Sequence, residues 1–506
     1  MSNLTKNKRI AKNALLLYFR SLLTMAISLY TSRVILHNLG FRDFGIISLV
    51  GGVVAMFQMF SATFVSATQR FLNFEMGRGN LESVRNVFSV SLTIHVVLAL
   101  VLLILFETVG IWFLEYQLSI PLDKVYATRW AYQFSVFTFL INMISIPYNA
   151  VIVANEKMNI FAYVSIYEAI ANLSIAFLIA SSPVDKLIFY SFMLFVVALS
   201  IRVFYGLYCS RNFIESHYVR VHDKKIYIKI LSLSGWTFLG SSASILTING
   251  MGVILNIFTG VVVNSAKGIA GKVEGVINQL VGNFMIALRP QLTKSYASGD
   301  NQYLISLISR GSRYSFYLTL VLCLPFVFYA DYILTLWLGK FPIYADNFVS
   351  ATAIYSISIP LSTILDILLL AKGNMKRPQI VLSILEVLNL PFSCMILYLN
   401  FKPYYIYVSY IVLFFLSLCV RLYYVDKYGI FSVQNYINWV IKKNLIVSSV
   451  VIVSAWLIAN CTILNNFMKI IFSELVLVVI VASIGMTHNE RTIIFKKISK
   501  NVSFKK

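Results

Sequence analysis

The feature that most constrains this chain is a succession of long apolar runs separated by short basic stretches. One helix crosses the hydrocarbon core with about 20 apolar residues, and lipid tolerates no open backbone hydrogen bonds there. Fourteen runs meet or approach that length, over residues 13–36, 44–66, 87–107, 128–150, 160–180, 187–209, 230–258, 266–288, 313–333, 347–371, 379–398, 404–423, 444–463 and 469–486. The fold class predicted is an all-α polytopic membrane protein of about 14 transmembrane helices. Span 8 carries Lys267, Lys272 and Glu274 and is the weakest by apolar content. Composition agrees, because 59% of the 506 residues are hydrophobic and only 12% are charged. Soluble domains run near a quarter charged, so a soluble globular enzyme is excluded.

The net charge of +22 would point to nucleic acid in a soluble protein. Here the cations lie between apolar runs, and they orient the chain in a bilayer instead. With the N-terminus inside and spans alternating, 31 of the 42 Lys and Arg fall inside, seven outside and four within spans. That bias predicts cytoplasmic termini and an even number of spans, with no nucleic acid as partner. Cys209, Cys323, Cys394, Cys419 and Cys461 show no CxxC spacing and read as small apolar residues. The first apolar run is too long for a cleaved signal. No loop is large enough for a domain, so the chemistry is expected in or beside the membrane.

The chain also repeats itself at an offset of 218–219 residues. Val34-Ile35-Leu36 recurs as Val253-Ile254-Leu255, Arg70 as Arg289, Ser165 to Glu168 as Ser383 to Glu386, and Arg202 as Arg421. Six spans separate each pair, so the repeats run parallel, about an axis along the membrane normal. This predicts two pseudo-symmetric six-helix lobes around a central cavity, plus two extra helices. The segments are an N-lobe (1–209), a linker (210–229), a C-lobe (230–423), the additional spans (424–486) and a basic cytoplasmic tail (487–506). Such a cavity opens alternately to either side in carriers.

Particular motifs add a resemblance. The run Leu29-Tyr-Thr-Ser-Arg33-Val-Ile-Leu-His-Asn-Leu-Gly40-Phe-Arg-Asp-Phe-Gly45-Ile resembles the first span and outer turn of bacterial polysaccharide flippases. Asn264-Ser-Ala-Lys267-Gly-Ile-Ala-Gly-Lys272, Asn278-Gln-Leu-Val-Gly-Asn283 and Ala287-Leu-Arg-Pro290-Gln resemble their eighth span. The family, which moves O-antigen or capsule repeat units, belongs to the multidrug/oligosaccharidyl-lipid/polysaccharide exporter superfamily. The resemblance covers essentially the whole chain. It implies alternating-access transfer of an undecaprenyl-pyrophosphate-linked oligosaccharide to the periplasmic leaflet of the bacterial inner membrane. It also implies a place beside a polysaccharide polymerase and chain-length machinery in O-antigen or lipopolysaccharide synthesis.

Ionisable groups in a bilayer are costly and mark function by default. Arg20 lies about 10 Å into span 1, and Arg33 is about 220° around the helix from it, near the outer rim. On span 8, Lys267, Glu274 and Asn278 share one line, while Lys272, Gln279 and Asn283 share another about 140° away. An ammonium among amides suits a diphosphate or an acidic sugar. Ser242, Asn249 and Asn256 form a stripe on span 7, read either as helix–helix hydrogen bonds or as sugar contacts. The substrate-binding candidates are thus Arg20, Arg33, Lys267, Lys272, Gln279, Asn283, Asn249 and Asn256. Glu168, Asp366 and Glu386 are candidates for H⁺ or Na⁺ coupling, or for pairing with a nearby cation. His95 is expected to be bonded locally. No metal, catalytic residue or other cofactor is expected.

Two other functions fit less well. A cation-coupled multidrug exporter of the same superfamily usually has twelve spans and an acidic cavity. A membrane polysaccharide polymerase needs a large outer loop or acidic catalytic residues at the outer surface, and gains nothing from the repeat.

Overall fold

The computed structural model describes residues 3–77, 80–155, 157–298, 301–372, 376–487 and 490–492. The tail beyond residue 492, Asn374 and Arg78 lie outside the described residues. Among the described residues the chain is helical with no strand, in the order expected of fourteen spans.

Helix α1 (Asn3–Ala55) holds the first span up to Gly40. Its remainder and α2 (Gln58–Gly77) make the second. Helix α3 (Leu81–Leu105) continues through a π-turn, Phe106–Gly110, into α4 (Ile111–Tyr116). Helices α5 (Val125–Ala154), α6 (Met158–Leu178) and α7 (Lys186–Asn212) complete the first six spans. Helices α8 (Lys224–Thr259), α9 (Val261–Ser298) and α10 (Asn301–Leu338) follow. The tenth span is bent by 42° between α11 (Ala345–Ser358) and α12 (Pro360–Lys372). The eleventh joins α13 (Lys376–Val387) to α14 (Asn389–Tyr398), and the twelfth is α15 (Ile406–Lys427). The last two are α16 (Val433–Tyr436) with α17 (Lys442–Ala459) across a π-turn at Ile437–Ile441, then α18 (Asn466–Ile480).

Eleven described helices are long and apolar enough to cross a membrane, or twelve with the bent pair. The second and eighth fall short because polar and charged residues interrupt them. Several helices outrun their apolar cores. The third reaches Tyr116 rather than 107, so the outer connection expected over 107–127 shrinks. Its extension carries Glu107, Glu115 and exposed Trp112 and Tyr116, which suit an interface, where a helix needs no apolar continuity. At the π-turn the Tyr132 hydroxyl donates to Phe106 O at 2.9 Å, meeting a carbonyl the widened turn leaves displaced.

The repeat shows in the backbone. Gly40 (φ 79°, ψ 169°) ends the first span and Gly260 (φ 80°, ψ −176°) the seventh, 220 residues apart. Both occupy a region open essentially to glycine alone.

The chain divides into two compact units, Met1–Gly268 with Ser393–Leu399, and Ile269–Phe392 with Asn400–Lys506. In the first unit α5 packs along α7, and α1 along α6 and α8. Three turns between spans are tied together by charge. The Arg42 guanidinium grips Asp123 through two 3.0 Å bonds. Lys124 Nζ donates to Asp43 at 2.9 Å and to Asp185 at 3.0 Å, and Lys186 Nζ donates to Asn38 O at 3.0 Å. In the second unit the added helices are not appendages. Val447 and Val451 of α17 and Leu477 of α18 are buried in one core with Leu320, Leu324 and Ile364. Buried Tyr436 pins that core by donating to Leu361 O at 2.6 Å.

Candidate functional site

In the first unit, Arg20 of α1 meets α6. Its Nη1 donates to Ser165 Oγ at 3.2 Å, and the guanidinium lies 4.8 Å from the centre of the Phe161 ring. Its Nε is buried without a hydrogen-bond partner, and Arg20 holds no carboxylate among the described residues. Glu168, one turn on from Ser165, is exposed, and both Arg20 and Glu168 lie within electrostatic reach of Tyr205. Arg20 thus packs on the face of α6 that carries Phe161 and Ser165, and Glu168 lies one turn further along that helix. Arg33 stands apart, exposed.

The stripe on α8 resolves toward packing. Ser242 and Asn249 bond their own helix, to Phe238 O at 2.6 Å and Ile245 O at 3.0 Å. Asn256 is fully buried, accepting from Ser119 N at 2.8 Å and donating to Ser119 O at 3.3 Å. Of the two readings open for Asn256, its contacts are those of packing: it locks the turn after α4, with both ends of its amide paired. Lys267 Nζ donates to Ile248 O at 2.8 Å, holding α8 to α9 through a backbone carbonyl.

The first unit also contains a cavity of about 520 Å³ that no reading of charge would locate. Gln58, Ser61, Ser135, Thr138, Asn142 and Ser191 supply its polar lining, and no described lining residue is charged. The spacing Ser135, Thr138, Asn142 on α5 is the helical signal that marks it in the sequence.

In the second unit, Lys272 and Gln279 are both exposed on α9, and Asn283 is half-buried. Lys272 forms no hydrogen bond or ion pair among the described residues. Asp366 is paired, accepting from Arg421 Nε at 2.7 Å, while Arg421 Nη1 donates to Ser417 at 2.8 Å. Of the two readings open for Asp366, the geometry is that of a cation pair. Glu386 and Glu274 both lie within electrostatic reach of Tyr355 and Tyr410, whose rings are 5.4 Å apart. His95 bonds locally as expected, through Nδ1 to Ser91 O at 2.7 Å. The five cysteines are free, and no group of metal-binding side chains forms among the described residues.

No protein-family model matches this sequence, and no curated protein matches it. Solved structures do. An inward-facing MATE-family multidrug transporter superposes with a TM-score of 0.67 at 12% identity, covering 79% of this chain and 95% of its own. The lipid II flippase MurJ, inward closed, gives 0.62 at 14% identity and covers 92% of this chain and 98% of its own. The fold is that of the MOP-superfamily transporters. A MOP-superfamily transporter from Pyrococcus furiosus matches at 0.61 with 14% identity over 82% of this chain and 95% of its own, and is described as having a binding pocket of reverse polarity that suggests a different function. Identities this low carry the MOP fold and leave the cargo to be argued from this chain's residues.

Proposed function

We propose that this multi-pass membrane protein is a flippase that carries an undecaprenyl-pyrophosphate-linked oligosaccharide across the bacterial inner membrane by alternating access, for O-antigen or capsule synthesis. The observation that carries this reading is that Arg20 and Lys272, both on membrane-spanning helices, are held without carboxylate partners among the described residues. A cation kept in low dielectric without a counter-ion is poised for an anionic cargo, and a diphosphate supplies one. The neutral cavity of the first unit offers hydroxyl and amide groups of the kind that hydrogen-bond sugars. The lipid II flippase also covers more of this chain than the MATE transporter does, 92% against 79%, as a chain with helices beyond two six-helix lobes would. Glu168, exposed on α6 and without an ion pair among the described residues, is the coupling carboxylate of choice for H⁺ or Na⁺, ahead of the paired Asp366.

The termini lie in the cytoplasm on this reading, with the polymerase and chain-length machinery taking the product on the far side. A deletion strain tests it: lipid-linked repeat units should accumulate on the cytoplasmic face. The runner-up, cation-coupled drug export, predicts drug hypersensitivity with no such accumulation.

A further inference from the structure

At the basic end of the second unit, the first turns of α10, the π-turn before α17 and the residues after α18 enclose a cavity of about 350 Å³. Among the described residues, three cations line it, Arg310, Arg313 and Lys443, against one carboxylate, Glu490. That carboxylate is already taken. Glu490 Oε1 accepts from Arg313 Nη2 at 2.8 Å and faces Arg310 Nε at 3.3 Å, and Oε2 accepts from Thr487 N at 2.7 Å. Arg313 is likewise committed, its Nε to Ser309 O at 3.2 Å and its Nη1 to Gly485 O at 2.9 Å. Arg313 and Glu490 therefore form a neutral wall, while Arg310 remains half-exposed. Lys443 forms no hydrogen bond or ion pair among the described residues. The described lining keeps an excess of two positive charges.

Its remaining lining says which anion fits. Trp439, partly exposed, stands one turn before Lys443, and Ile305 lies opposite on α10. An indole beside cations at the end of a span is the chemistry of the membrane–water interface. Ser306 and Thr487 add hydroxyls within the same cavity. A phosphate ester satisfies the cations and hydroxyls together. A free phosphate would leave Trp439 and Ile305 without contact, whereas a lipid places acyl chains there. The π-turn at Ile437–Ile441 re-phases the helix between Tyr436, which is buried in the core, and the Trp439–Lys443 pair.

We propose that this cavity binds the phosphodiester headgroup of an anionic phospholipid, separately from the transported cargo. Basic pockets between transmembrane helices take such headgroups. The test uses the full-length protein in neutral detergent, following its melting temperature. Phosphatidylglycerol should raise it saturably, and phosphatidylcholine and inorganic phosphate should not. Lys443→Ala should raise the half-saturating phosphatidylglycerol concentration about fivefold. Arg310→Ala with Lys443→Ala should abolish the response. Lys442→Ala, an exposed neighbour outside the cavity, should leave it unchanged. If the double variant does not fold, Lys443→Ala decides, because it breaks no described internal bond. A wild-type response in Lys443→Ala, an equal response to phosphatidylcholine, or a shift reproduced by inorganic phosphate alone would overturn the proposal.

Discussion

Arg421 Nε donates to Asp366 Oδ1 at 2.7 Å, and the repeat-related Arg202 stands 4.0 Å above the centre of the Tyr148 ring. The arginines are 219 residues apart and their targets 218. The same reach is thus preserved in both halves with different chemistry, a carboxylate in one and an aromatic face in the other. Asp366→Ala leaves Arg421, 16% exposed, without its charge partner. A partly buried orphan of this kind should cost about 1–2 kcal/mol of stability. Asp366→Ala with Arg421→Ala should recover part of that loss. Full transport by the double variant, measured per membrane protein, would remove Asp366 from ion coupling.

Gly40 and Gly260 give the repeat a backbone test. A Cβ at either position meets nothing within 4 Å, so any penalty comes from the positive φ alone. Gly40→Ala and Gly260→Ala should each destabilise by about 1–3 kcal/mol. Gly271→Ala, inside helix α9 and equally uncrowded, should be neutral or stabilising by about 0.5–1 kcal/mol. Melting temperatures of the three variants distinguish strain from crowding.

Burial pushes the Glu490 carboxyl up, but the Thr487 backbone N–H and the Arg313 guanidinium more than offset it and hold the group below its ordinary value. A depressed carboxylate contributes stability that is complete above the unfolded value of about 4.3 and is lost as pH falls through the folded value. The melting temperature of the wild type should therefore drop below about pH 4 more steeply than that of Glu490→Gln. At pH 7 the variant should be the less stable of the two.

Cysteines placed at Ser181 and Lys402, both exposed, should react with an impermeant thiol reagent added from outside once the native cysteines are removed. One at exposed Asn159 should react only after permeabilisation. The opposite pattern would reverse the proposed orientation.

Much of this architecture was legible because bilayer physics leaves few options: apolar length marked the spans, and a constant offset marked the repeat. The pairings were harder to read. Asp366 and Arg421 are 55 residues apart, and Arg313 and Glu490 are 177 apart. No local pattern ties them. Asn256 read as part of a polar stripe because its true partner, Ser119, sits in a turn whose path sequence periodicity does not encode. The ionic network between turns did leave a trace, in the dyads Arg42-Asp43, Asp123-Lys124 and Asp185-Lys186. Opposite charges set side by side at each turn cannot satisfy one another fully, and so reach across.

The most direct measurement is transfer of a fluorescent undecaprenyl-diphosphate-linked oligosaccharide between leaflets of proteoliposomes holding the purified protein. The wild-type protein should catalyse transfer, and the rate should fall about tenfold in Arg20→Ala and in Lys272→Ala at equal protein, the loss of one charge-assisted contact. Arg20→Lys should retain part of the activity, because it keeps the charge and loses the guanidinium fork. Arg33→Ala should be milder. Absence of transfer by the wild-type protein, or wild-type rates in both alanine variants, would contradict the proposed function.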